Sequence, residues 1–151
     1  MKIKDKRNLV IIVNSNKFLV ACINNMEDYV KIEYPESKLH PKQQIVYTRL
    51  LAKRINKGEK IFLLTSSDFI IRELNNLILL NEDFKGKKDI MKRYKYSKKM
   101  TIDSSKIIVY DYNNGLDKCE FCDEGYIVKS LDLVIEDLNK RSNDIYYSKK
   151  S

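Results

Sequence analysis

The chain reads as an α/β domain with a mainly parallel sheet flanked by helices. Three observations carry this reading. Residues 60–65, KIFLLT, form a short and nearly all-apolar run, the pattern of a strand buried on both faces. Residues 8–13, NLVIIV, form a second, β-branched apolar run. A helical stretch lies between KIFLLT and the alternating strand DYVKIEY at residues 28–34, and a crossover of that length implies parallel pairing with a right-handed connection.

Each element follows from local pattern. Residues 17–24 read either as a strand, after a turn at Asn14-Ser15-Asn16, or as the start of a helix, and the pattern does not separate the two. Pro35 stops the strand at 28–34, because proline supplies no ladder donor. Pro41 suits a first helical turn, and the helix it opens runs to about Asn56. Val46 and Leu50, with Tyr47, Leu51 and Ile55, give that helix an apolar stripe at i, i+4 spacing. Gly58 is its stop. Ser66, Ser67 and Asp68 are all good N-cap residues for the next helix, which carries Ile70, Ile71, Leu74, Leu77 and Ile78. KIIVYDY at 106–112 is a further strand, closed by a turn at Asn113-Asn114-Gly115. GYIVK at 125–129 reads as one more strand. Residues 131–139 read as a short amphipathic helix, and the tail SNDIYYSKKS is expected to dock through Ile145 and Tyr146 and then fray.

The bulk numbers bound the function. A length of 151 residues suits one domain, spanning 1–151, and 43% hydrophobic with 33% charged residues is a globular mixture. No apolar run approaches the roughly 20 residues of a membrane span. The apolar stretch Leu9 to Val13 is too short for a signal-peptide core, so a cytoplasmic location is expected. The three cysteines, Cys22, Cys119 and Cys122, are an odd set without a secretory signal, which argues against a disulfide framework. The lone CxxC at 119–122 reads as reduced, unliganded thiols, since zinc needs four ligands and the only histidine, His40, is distant. A zinc shared between two chains is the sharper alternative. The net charge of +8 concentrates in residues 81–101. Lys87, Lys88, Lys92, Arg93, Lys95, Lys98 and Lys99 could meet nucleic-acid phosphates there, with Tyr94 and Tyr96 stacking on bases. The plainer reading is a solvated basic face in a chain rich in lysine throughout.

The stretch IEYPESKLHPKQQ at 32–44 resembles a segment of ABC-type ATPases, in particular the stand-alone kind named for overcoming lysogenization defect, and RecF-like proteins. In these families a buried strand ends in two acidic residues, followed by Pro-Glu, two variable residues, Leu-His-Pro and a Gln; here Pro35, Glu36, Leu39, His40, Pro41 and Gln44 fit. LLTSSDFIIRELNNLI at 63–78 resembles the following strand and switch loop, where the family has Thr-His-Ser before a helix. KIIVYDY and LDLVIEDLNKRSNDIYYS are similar to the end of these domains. The resemblance covers roughly residues 28–148, and the order and spacing of its motifs are its strength. Residues 1–27 are a divergent N-terminal strand segment, which either replaces the missing half or forms a new sheet edge.

The resemblance implies a partial P-loop domain in which the catalytic parts are lost. Hydrolysis needs a glycine-rich loop around the phosphates, with a lysine. The four glycines, Gly58, Gly86, Gly115 and Gly125, are isolated, and Gly86-Lys87-Lys88 is not the required motif. Ser15-Asn16 is at most a remnant of the Ser-Gly signature. Glu33 stands where the family's strand-end acid faces magnesium. Tyr34 replaces the general base, and a phenol with a pKa of about 10 cannot do a carboxylate's work at neutral pH. Ser66 replaces the switch histidine and carries no charge. His40 would lie in the loop that crosses to a partner in a head-to-tail dimer. Plainer roles stand beside these: a helix-start residue for His40, an exposed strand-end acid for Glu33, a carboxylate at a helix N-terminus for Glu36, and an N-cap for Asp68.

A non-hydrolytic, ATPase-like interaction protein is therefore expected, with no cofactor of its own and another chain as partner, either a full-length or half ATPase or a second copy. A split enzyme that binds ATP and Mg²⁺ only when a partner completes it, a basic nucleic-acid-binding module, and a decayed fragment are the alternatives. Intact periodicity and capping argue against the last.

Overall fold

The computed structural model describes residues 6–14 and 26–151. Strands β1 (Leu9–Val13), β2 (Val30–Glu33), β3 (Ile61–Thr65) and β4 (Ile107–Tyr112) run parallel, and β5 (Leu116–Lys118) joins β4 antiparallel. The sheet order is β2-β3-β1-β4-β5. Helix α1 (Pro41–Asn56) links β2 to β3, and α2 (Asp68–Leu79) and α3 (Lys87–Arg93) lie between β3 and β4. A small hairpin of β6 (Glu120–Cys122) and β7 (Gly125–Ile127) precedes the last helix, α4 (Lys129–Lys150).

Period-two alternation divides the core between the faces of the sheet. Leu9, Ile11, Val13, Ile61, Leu63, Ile107 and Val109 face one way, onto Leu51 and Ile55 of α1 and Ile70, Leu74, Leu77 and Ile78 of α2. Val10, Ile12, Phe62, Leu64 and Ile108 face the other way, with Met26 and the half-buried Tyr29, Tyr34, Tyr110 and Tyr112. α1 and α2 therefore share a face, as two crossovers stepping in the same direction require. Arg49 of α1 ties them together through Glu73 of α2 at 2.9 Å, and Asn56 anchors the basic segment by donating to the carbonyls of Lys99 and Thr101.

Within residues 1–27, β1 is not an edge strand. β1 is the central strand, paired with β3 on one side and β4 on the other. Five apolar residues in a row, all buried, suit a strand paired on both sides. The alternatives weighed for 17–24 fall outside the described residues. The C-terminal helix also departs from expectation. In place of 131–139 and a docked, fraying tail, one helix runs from Lys129 to Lys150, and Ile145 and Tyr146 are exposed. No Gly or Pro interrupts that stretch, and an Asp137–Arg141 ion pair at 2.6 Å spans the polar turn where the reading stopped.

β7 is held by a side chain that acts as a strand. The Asn75 amide of α2 accepts from the Tyr126 N–H at 2.8 Å and donates to the Tyr126 carbonyl at 3.0 Å. The approach is so close that a Cβ on Gly125 would lie 2.4 Å from the Asn75 amide carbon, and Gly125 also sits at φ +101°. Asn75→Ala should cost about 1–3 kcal/mol in urea unfolding by leaving both backbone groups unpaired. Gly125→Ala should destabilise the domain as well, through both the contact and the backbone.

Candidate functional site

In a parallel sheet the chemistry-bearing residues gather beyond the carboxyl ends of the strands. Here that edge collects Asn14 after β1, Tyr34 and Glu36 after β2, Ser66 and Ser67 after β3, and Asp111 near the end of β4. Helix N-termini open beside it, and their unpaired N–H groups are natural anion sites.

Each described helix N-terminus at this edge is met by the chain's own groups. At α2, the Ser66 N–H donates to Glu36 Oε1 at 2.7 Å. Ser67 is the N-cap, with its Oγ accepting from the Ile70 N–H at 3.1 Å, and Ser67 Oγ donates to Gln44 Oε1. Gln44 in turn donates to the Leu39 carbonyl at 3.0 Å, so the loop after β2 and the loop after β3 are tied together. At α1, His40 Nδ1 accepts from the Lys42 N–H, and Gln43 Oε1 accepts from the His40 N–H, closing a capping box. At α4, Asp111 accepts from the Ser130 N–H at 3.0 Å and from Ser130 Oγ at 2.6 Å. Asn14 Nδ2 then donates to Ser130 Oγ at 2.5 Å, joining the end of β1 to the same cluster.

The sequence-derived residues are only partly brought together. Glu36 and Ser66 meet directly. Glu33 is exposed at the end of an edge strand, and its plainer reading describes it. Tyr34 takes a left-handed backbone at φ 45°, donates its N–H to the Leu64 carbonyl at 2.8 Å and packs its ring on the second core face. His40 is the helix-start residue. Asp68 is not the N-cap; Ser67 is, because Gln44 fixes its hydroxyl. Asp68 is instead the first helical residue, paired with Arg72 at 2.5 Å. Glu36 Oε2 is buried and accepts no hydrogen bond among the described residues. Gln44 lay in the quoted motif. Asp111, Ser130 and Asn14 gave no signal beyond one acid in an apolar run.

The basic segment forms α3 and the turns after it. Lys88, Lys92, Arg93, Lys95, Lys98 and Lys99 are exposed, while Lys87 is half-buried near Asp83. Tyr94 is exposed, but Tyr96 is committed elsewhere. Its hydroxyl donates to Glu73 Oε2 at 3.0 Å, and the Arg49 guanidinium lies 4.2 Å from its ring centre. Burial first, and then the Glu73 carboxylate, raise its phenol pKa. Tyr96 is therefore a structural tie and not a stacking platform.

The CxxC is divided between environments. Cys119 is buried, and its backbone N–H donates to the Val109 carbonyl. Cys122 is half-buried at the β6–β7 turn, where its Sγ lies 3.4 Å from the Gly125 carbonyl. No group of three or more His, Cys, Asp or Glu able to hold a metal occurs among the described residues. Burial, then Asp111 and Asp117, push the Cys119 thiol up to about 12.

Two predictions follow from this geometry. Glu36→Ala should cost about 1.5–3 kcal/mol in urea unfolding, because it removes a charge-assisted bond at a helix start. The Cys119 thiol holds its proton in the folded state above the pH at which the unfolded thiol loses it. Its contribution is thus constant below the unfolded value of 9.0 and is lost as pH climbs from there toward about 12. Thermal melts should fall more steeply above pH ~9 for the wild type than for Cys119→Val. No known protein family, curated protein or solved structure matches this chain, so its function is argued from the geometry above.

Proposed function

We propose that this chain is a non-hydrolytic, ATPase-like protein that acts by contact with another protein. The observation that carries the reading is the closure of the sheet's carboxyl edge. The loop in the place of the family's switch spends its anion-receptive N–H on Glu36, a carboxylate of the same chain. The residue in the place of the general base, Tyr34, is packed against the core. The sequence after β1, from Asn14 to Asn25, contains no glycine with which to wrap a phosphate. The sequence after β1 has no glycine-rich phosphate loop and Tyr34 is no carboxylate base, while the loops after β2 and β3 are tied together by Gln44, Ser67 and Glu36. A rigid surface of that kind suits recognition by a partner, with an ATPase of the resembled family as the first partner to try.

The central strand bears on the split-enzyme alternative. A complementing half would have to supply a strand to the sheet, and β1 already occupies the middle position. β2 is an edge strand, so an added chain could extend the sheet there but could not place a loop at its centre.

A second reading has its own observation. The exposed cations from Lys88 to Lys99, interrupted by one acid, Asp89, form a basic stretch with Tyr94, and single-stranded nucleic acid is their natural counterpart. In fluorescence anisotropy with an oligonucleotide, this reading expects affinity that falls steeply with salt; flat or absent binding would remove it.

Calorimetry with ATP and Mg²⁺ tests the main proposal. No heat of binding up to millimolar nucleotide is expected. Saturable binding below that would mean that a phosphate site exists, and the proposal would fall.

A further inference from the structure

The open side of the sheet carries charges that complement themselves. β2 is the outermost strand, and among the described residues nothing pairs with its outer side. The Val30 N–H donates to the Lys60 carbonyl and the Tyr34 N–H to the Leu64 carbonyl, both toward β3. Main-chain groups alternate in direction along a strand, so Lys31 and Glu33 turn their N–H and C=O groups outward. Both side chains are exposed, and neither is in an ion pair among the described residues. The chain leaves this edge at both ends. Met26 is buried on the second core face, and after the strand Glu36 turns inward to the Ser66 N–H beyond β3.

An open edge invites another strand, and charges on it restrict which one. In an antiparallel pair of β2 with its own copy, centred on Ile32, Lys31 lies opposite the other Glu33, and Glu33 opposite the other Lys31. These are the residues with outward main-chain groups, so each opposed pair exchanges both of its N–H···O bonds. A shift by two residues sets Lys31 on Lys31 or Glu33 on Glu33, and like charges directly opposed are destabilising. A shift by one sets outward groups against inward ones. A parallel pair brings lysine beside lysine and acid beside acid.

The flanks fit the same arrangement. Val30 and Ile32 lie on the α1 face, where Ile32 packs on the main core and Val30 is 45% exposed. α1 links β2 to β3 and α2 leaves β3 toward β4, so the side of α1 away from Arg49 and α2 overlooks the β2 edge. At about 100° per residue that side carries Tyr47, Leu50 and Arg54. Leu50 is 51% exposed. Arg54 is paired with Glu59 at 2.7 Å and so adds no net charge there. At the head of the strand, Glu27 and Asp28 would come toward the loop after the partner's strand, which carries Lys38.

We propose that β2 pairs antiparallel with β2 of a second copy about Ile32, joining two sheets into one across a two-fold axis, with Leu50 and Tyr47 of both copies covering the junction. The inference goes beyond the reading of the sheet's carboxyl edge and does not depend on it, so nucleotide binding would leave it untouched.

Sedimentation equilibrium on the full chain tests it. A short strand pair with a small apolar flank makes a weak dimer, so the range runs from about 10 to about 500 μM. The wild-type mass should rise toward that of two chains, and a monomer throughout overturns the proposal. Lys31→Glu and Glu33→Lys, made separately, each oppose like charges and should each weaken association roughly tenfold or more, while urea unfolding stays cooperative. Mixing the two variants sets lysine opposite acid in both pairs again and should restore association. So should both substitutions in one chain, which leave the net charge unchanged. A dimer unmoved by the single substitutions, or a failure of either rescue, means that another surface or register is used and overturns the proposal.

Discussion

The carboxyl edge of the sheet hangs on the burial of β1. Its five residues, LVIIV, are at most 1% exposed, and alternate side chains enter both cores. Its backbone is paired on both sides, to β3 and to β4. The two sequence-distant parts of the sheet, β2–β3 and β4–β5, have no contact in the ladder except through this strand. Its last link matters as much. Asn14, at φ 61°, turns just past the strand, donates its N–H to the Thr65 carbonyl at 3.1 Å and gives its side chain to Ser130. The loop before α2 and the start of α4 are thus both fixed by the end of one buried strand.

The parts of this arrangement that were legible in the sequence are those set by local pattern. KIFLLT, LVIIVN and KIIVYDY announce buried strands by composition, and Pro41 and the Ser66-Ser67-Asp68 run announce helix starts. Which residue of that run caps the helix was not legible, because Gln44 decides it from 23 residues away by holding the Ser67 hydroxyl. The place of β1 in the middle of the sheet was equally hidden. A run buried on both faces fits the centre better than an edge, but strand order is a long-range property. Tyr96 shows the same limit. An aromatic among lysines reads as a stacking residue until Glu73 and Arg49, on two other elements, are seen to hold it. The C-terminal helix was under-read because a polar turn, Asn139 to Asn143, interrupts its apolar spacing, while the Asp137–Arg141 pair that bridges the turn adds only a few tenths of a kcal/mol.

The closure of the helix N-termini has an energetic consequence. A helix start attracts an anion through its free N–H groups and its dipole, and a folded chain that places its own carboxylate there removes both attractions at once. An incoming phosphate at α2 would have to displace Glu36 from the Ser66 N–H. That forfeits a charge-assisted bond of about 1.5–3 kcal/mol and leaves the displaced carboxylate near the phosphate as a like charge. A loss of that size lowers affinity by roughly ten- to a hundredfold. The same argument holds at α4, where Asp111 holds Ser130 by two bonds. Among the described residues, the loops after β2 and β3 and the start of α4, gathered at one edge of a parallel sheet, are thus satisfied by the chain's own groups.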